Sequence, residues 1–233
     1  MVKKFNCSPR RKDVVFIPSR KHLLPILYEL STEIVDRIIP LDELIDKIGL
    51  FLSDRFRVDV MHATSQTALP GSMLINADYD QEKDEKNKVS IQIILITYTN
   101  EQSFLWDDEQ CTYVCKQIAD TIIHEMVHMK QCRARDFEDY FFEKDSFESG
   151  KEEAQYYLGN NDEIDAYAYN IASELLDQGD FKQANLALSC PSKITLETSA
   201  NLWAYMNTFD YNVDHPAIRK LIKKIYKHLT HLN

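Results

Sequence analysis

A chain of 233 residues, 44% of them hydrophobic, can bury a core of its own, so neither a disulfide framework nor a metal is required for folding. A net charge of −10 argues against general nucleic-acid binding, because phosphate contacts need a basic surface. With only 5 Gly and 7 Pro, and long stretches rich in Leu, Ile, Glu and Lys, the chain is expected to be an α+β protein, mainly helical with a small sheet.

Residues 1 to 20 are basic, with Arg10, Arg11 and Lys12, but lack the apolar run of a secretory signal. No later window approaches the roughly 20 apolar residues of a membrane span. A soluble, cytoplasmic protein without a membrane partner is therefore expected. The five cysteines, at 7, 111, 115, 132 and 190, form no CxxC pair, which fits reduced thiols.

Leu27, Leu30, Ile34 and Ile38 recur at helical spacing over residues 24 to 38, with Pro25 in what would be a first turn. Leu41, Leu44, Ile45, Ile48 and Leu52 repeat the pattern over 41 to 52. The period then becomes two: Phe56, Val58, Val60 and His62 alternate with Arg57, Asp59 and Met61, as in a half-buried strand. A second strand, "VSIQIILITYT" at 89 to 99, is apolar on both faces and belongs inside a sheet or under another layer. Between them "DYDQEKDEKNK", 78 to 88, reads as an exposed charged loop, since Lys83 and Val89 stand where a calcium loop needs Gly and Glu.

Asp107 or Asp108 can cap a long helix running through Val114, Ile118 and Ile122 to about Cys132. A further helix starts near Asn160, with Glu163 three residues on as a plausible capping partner, and Gly179 can end it. The last helix, 216 to 232, buries Ile218, Leu221, Ile222, Ile225 and Leu229. Its cations Arg219, Lys220, Lys223, Lys224 and Lys227 read as a solvated face.

"ADTIIHEMVHMKQC", 119 to 132, carries the chemistry. Residues four apart on a helix differ by about 40° in direction, so His124 and His128 can aim imidazole nitrogens at one ion. Glu125 lies on the adjacent face, turned from coordination but able to take a proton from a water activated by zinc. The pattern arises by chance in roughly 1–2% of chains of this composition, so context must decide. Here Ile122, Ile123, Met126, Val127 and Met129 embed the polar residues in apolar surface, where they are costly to bury unless something binds them. The plain alternative is a partly exposed helix edge with ordinary polar residues.

A catalytic zinc needs a third protein ligand and an open fourth position. Glu163 is the first choice, against its competing use as a capping carboxylate. Cys132, one turn past His128, is the rival, although three ligands on one straight helix strain a tetrahedron. Asp165 is a weaker candidate, suited to orienting a histidine. Tyr167 could stabilise an oxyanion but is more simply a packing residue.

The residues "HEMVHMKQ" at 124 to 131 and "DEIDAYAYNIASEL" at 162 to 175 resemble the HExxH…EIxAxA pattern of small zinc metallopeptidases found in bacteriophages and bacteria, a compact gluzincin-like arrangement. The resemblance implies a zincin-like active-site helix. His124, His128 and Glu163 would be the zinc ligands and Glu125 the general base. Gln131 and Ala134 stand where a metzincin has Gly and His, which excludes that family; a thermolysin-type segment is acidic where Tyr167 stands, and SprT-like proteins carry a third His where Cys132 stands. The resemblance also implies a strand before the active-site helix that pairs with bound peptide, for which 89 to 99 is the candidate.

The expected organisation is a basic segment over 1–20, a metallopeptidase domain over 21–190, and a helical extension over 191–233 packed on it. The expected function is a zinc-dependent hydrolase acting on a protein or peptide in the cytoplasm, with a phage or bacterial setting implied by the resemblance. A non-catalytic, zinc-stabilised binding or regulatory protein is the alternative. A helical interaction protein with an accidental motif is the third.

Overall fold

The computed structural model describes residues 15–34, 37–138 and 146–232. Arg10, Arg11, Lys12 and Cys7 lie outside the described residues. The chain is an α+β protein, mainly helical with two small sheets. It divides into two compact units, Met1–Phe137 and Glu138–Asn233.

The first unit opens with helices α1 (Arg20–Leu27) and α2 (Glu29–Ile34), then strand β1 (Arg37–Pro40). One helix over 24 to 38 was expected, and the difference has two causes. Pro25 falls inside α1, where it offers no N–H to the helical ladder, and the chain breaks at Tyr28. Further on, Ile39 precedes Pro40, which disfavours helical backbone, and the Ile pair alternates as in a strand: Ile39 is buried while Ile38 is 74% exposed. β1 pairs antiparallel with β5 (Ser103–Trp106), Ile39 opposite Phe104.

Helix α3 (Leu41–Phe56) buries Leu41, Leu44, Ile48, Leu52 and Phe56 in one stripe. Arg57, at φ 52°, turns the chain in left-handed backbone, so β2 (Asp59–Ser65) begins three residues later than its alternation suggested, with the same residues facing in. β3 (Met73–Tyr79) and β4 (Ile91–Tyr98) complete a sheet of order β2-β4-β3, parallel between β2 and β4 and antiparallel between β3 and β4. β4 is therefore the central strand: Ile91, Ile93, Leu95 and Thr97 are buried, and the alternating residues are half-buried. Because both of its edges are paired, β4 cannot add a peptide strand as the resemblance implied; the outer strands are β2 and β3.

The acidic stretch 78 to 88 is exposed at Asp78, Glu82 and residues 85–88, as expected, but it is not a loop throughout. Asp80 accepts a hydrogen bond from the Lys83 N–H at 2.8 Å and caps a short helix, α4 (Gln81–Glu85). That turn drives Asp84 inside, to 1% exposure. There it accepts from the Tyr79 hydroxyl at 2.8 Å and forms a two-pronged ion pair with Arg133, whose Nε lies 2.7 Å from Oδ2. Burial first, then the bond to Asp84, pushes the Tyr79 phenol far above its ordinary pKa. Arg133 belongs to α5 (Asp108–Ala134), which packs on β3, β4 and β5 as well as on α1 and α4.

The second unit comprises α6 (Gly150–Gly159), α7 (Asn161–Gln178), α8 (Phe181–Leu188), a 3₁₀ turn (Pro191–Lys193), α9 (Ala200–Thr208) and α10 (Pro216–Leu232). Ile164, Ala168, Ile171 and Leu175 of α7 share one core with Leu202 and Tyr205 of α9 and with Ile218, Leu221, Ile225 and Leu229 of α10. Buried Glu174 accepts from the Ser199 hydroxyl and from Asn201 Nδ2 at 2.9 Å, tying α7 to the start of α9. Asp165 accepts from Lys224 Nζ at 2.9 Å and His228 Nε2 at 3.0 Å, tying it to α10. Burial works against the Asp165 carboxylate, but the bonds from His228 and Lys224 outweigh it and hold its pKa well below the usual range.

Two outcomes follow from these contacts. Asp84→Ala leaves Arg133 buried without its counter-charge and should cost roughly 3–5 kcal/mol in chemical denaturation. Because the folded-state pKa of Asp165 is depressed, its stabilisation is complete above the unfolded carboxylate value near 3.9 and drains as pH falls through the lower folded value. The stability gap between the natural chain and Asp165→Asn should therefore close as pH falls from about 5 toward 2, measured by urea denaturation across that range.

Candidate metal centre

Helix α5 is long and polar residues sit well inside it. Asp107 starts it by accepting from the Gln110 N–H at 2.8 Å, and Cys111, Val114, Ile118, Ile122 and Met129 are all buried. His124 and Glu125 are buried as well, and His128 is half-buried. The helix is held on both sides of this turn. Before it, Arg20 donates from Nε to Asp120 Oδ1 at 2.7 Å and from Nη2 to Oδ2 at 2.5 Å, in a pair almost wholly removed from water. After it comes the Arg133–Asp84 pair.

His124 Nε2 and His128 Nε2 stand 2.9 Å apart, with ring centroids 4.6 Å apart and planes at 74°. On its other side, His128 Nδ1 lies 3.0 Å from Gln131 Oε1. A carbonyl oxygen only accepts, so Nδ1 carries a proton there and Nε2 is left with a lone pair facing His124. His124 Nε2–H is then the donor between the two rings.

Two nitrogens bound to one tetrahedral ion at about 2.0–2.1 Å stand roughly 3.3 Å apart, so a few tenths of an ångström of opening would let this pair hold one in place of the shared proton. Were His128 to bind an ion through Nε2, Gln131 would supply the outer contact that fixes its ring. Two imidazoles and a carboxylate are donors suited to a divalent transition-metal ion.

Glu163 is buried in the first turn of α7. The cap of that helix is Asn160, whose side chain accepts from the Asp162 N–H at 2.9 Å. A capping Glu163 would reach back to the Asn160 N–H, but that donor already serves Tyr157 O at 3.1 Å. Ligand atoms of His124, His128 and Glu163, one from each residue, all lie within 4.8 Å of one another, and such a group could hold a metal ion.

The rival donors go elsewhere. Cys132 is buried with its Sγ 3.0 Å from Gln81 Oε1, and it is not part of the three-residue group. Asp165 does orient a histidine, as its position allowed, but the histidine is His228 on α10. The Tyr167 ring meets Tyr205 edge-on at 5.2 Å, which gives it a packing role, and the Tyr205 hydroxyl donates to Leu158 O at 3.1 Å. Burial, and then the proximity of Tyr167, Glu163 and Tyr157, raises the Tyr205 phenol well above its ordinary pKa. Cys111 and Cys115 face each other at 3.8 Å inside α5; their mutual hydrogen bond and then burial push the Cys115 thiol up.

Three contributors escaped the sequence reading. Gln131 could have been found from its i, i+3 spacing to His128. Arg20 and Asp84 carried no local signal, because their partners on α5 lie 100 and 49 residues away. No protein-family model matches this chain, and neither a curated protein nor a solved structure does.

Proposed function

We propose that the chain is a zinc-dependent hydrolase, a metallopeptidase that cleaves peptide bonds with Glu125 as general base. The observation that carries this reading is the grouping of His124, His128 and Glu163 ligand atoms, with Glu125 one residue after His124 on the same buried helix. His124 and His128 would hold the ion through Nε2 and Glu163 through a carboxylate oxygen. When bound, zinc supplies Lewis acidity, polarising a carbonyl and lowering the pKa of a nearby water.

Glu125 then accepts a proton from the attacking water as its oxygen bonds to the scissile carbonyl carbon. The same carboxyl returns that proton to the leaving nitrogen as the C–N bond breaks, giving a carboxylic acid and an amine. Gln131 keeps His128 Nδ1 protonated and its Nε2 turned inward. Peptide would align by adding to an outer strand of the three-stranded sheet, and β3 is favoured because α5 packs against it.

Elemental mass spectrometry of protein purified without a histidine tag should give about one zinc per chain, and none for the double variant His124→Ala, His128→Ala. Gln131→Ala should weaken zinc by about 10–100-fold and Glu163→Ala by more, while Cys132→Ala leaves affinity near that of the natural chain. Metal absent from the natural chain even after zinc is offered would end the reading.

On a quenched peptide library, Glu125→Gln should keep its zinc and lose about 10²–10⁴ in hydrolysis rate. Zinc bound with no hydrolysis by the natural chain would favour the non-catalytic, zinc-stabilised alternative.

A further inference from the structure

The cations of α10 were expected to form one solvated face, but they divide into two sets. Lys220 donates to Asn161, and Lys224 and His228 hold Asp165, so this side of α10 is committed to α7. Arg219, Lys223 and Lys227 are exposed and make no ion pair or side-chain hydrogen bond among the described residues. Spaced four apart, they drift only about 40° per step and so follow one another along a single side of the helix.

That side borders an open groove of about 420 Å³ within the second unit. Pro191, Val213, Ile222 and Tyr226 give it an apolar floor, and Arg219 and Lys223 stand at its margin. No acidic residue is among those that line it. Val213 and Tyr226 are 41% and 38% exposed, although residues of these types gain by leaving water. An apolar floor beside unpaired cations, on a chain of net charge −10, is a local reversal of the molecule's character.

We propose that this groove docks an acidic protein segment carrying an apolar or aromatic side chain: the side chain fills the floor and flanking carboxylates meet Arg219 and Lys223. Charge complementarity selects this occupant. A nucleic acid of useful affinity needs several phosphate contacts, roughly 6–10 in strong binders, and the groove offers two cations on an acidic protein. A membrane surface would need the apolar face of α10, but Ala217, Ile218, Leu221, Ile225 and Leu229 are spent in the core. A free fatty acid needs an enclosed cavity, and this one is open. The proposal does not rest on the metal reading.

The test is fluorescence anisotropy at low ionic strength with the full chain and a fluorescein-labelled peptide, Glu-Glu-Phe-Glu-Glu-Leu-Glu. Saturable binding is expected, unchanged by EDTA, weaker with salt, and weaker when Phe in the peptide is replaced by Ser. The double variant Arg219→Glu, Lys223→Glu should bind about tenfold more weakly, as should Val213→Asp. Lys47→Glu with Lys86→Glu changes the net charge equally at distant exposed sites and should leave binding intact. All four substituted positions of the two charge variants are surface positions, so circular dichroism should show unchanged folding. Equal loss in the charge-matched control, or no saturable binding, overturns the proposal. Tighter binding of phosphatidylserine vesicles or of an oligonucleotide through the same residues also overturns it, as does self-association abolished by the same variants.

Discussion

Arg20 and Asp84 reach the interior of the first unit from distant parts of the sequence to pair with Asp120 and Arg133 on α5, and the two pairs bracket the turn that carries His124, Glu125 and His128. Removing four charges from water is expensive, and apolar residues of the same size would often stabilise as well. What such pairs add is position. A guanidinium held by two bonds to a carboxylate fixes a helix both along its axis and in rotation. Asp120 and Arg133 are about 20 Å apart along α5 and point roughly 140° apart around it, so the helix is gripped at two heights and from two directions. His124 and His128 follow Asp120 along the same side of the helix, at about 40° and 80° from it. A ligand pair whose nitrogens must be placed within a few tenths of an ångström benefits from that rigidity.

The second unit shows the same economy of means on a smaller scale. Three polar residues of α7 and its cap have a defined task. Asn160 caps it, Asp165 takes Lys224 and His228 from α10, and Glu174 takes Ser199 and Asn201 at the start of α9. Glu163, buried in the first turn, is the carboxylate of this helix with an oxygen within 4.8 Å of a nitrogen of each imidazole. α10 divides its charge in the same fashion, with Lys220 and Lys224 turned to α7 and Arg219 and Lys223 left along an apolar groove.

Periodicity made much of this legible in advance. α3, α5, α7 and α10 all carry unbroken apolar stripes with a recognisable cap or stop, and β4 announces its central place by being apolar on both faces. The errors came where a local signal competed with a stronger one. Leu27, Leu30, Ile34 and Ile38 fit a helical period, yet Pro25 and Pro40 shape the backbone around them. In 78 to 88 the charges suggested solvent, and only the Asp80 cap and the distant Arg133 explain why Asp84 goes inside. The motif on α5 was legible because its two histidines are local to each other. The groove on α10 was not, since it needs Pro191 and Val213 from other parts of the chain.

Whether such a centre serves catalysis or structure turns on how many donors close around the ion. Structural zinc is held by four protein ligands, with cysteine prominent among them, whereas catalytic zinc keeps one position for water or substrate. Among the described residues three donors gather, and the thiol best placed in sequence to make a fourth, Cys132, is bonded to Gln81. Glu125 bears on the same choice. It lies directly after His124, is not one of the three grouped donors, and is buried on the same helix. Three grouped donors beside a buried carboxylate suit water activation better than a structural ion, and on that ground we prefer the proposed hydrolase reading to the structural one.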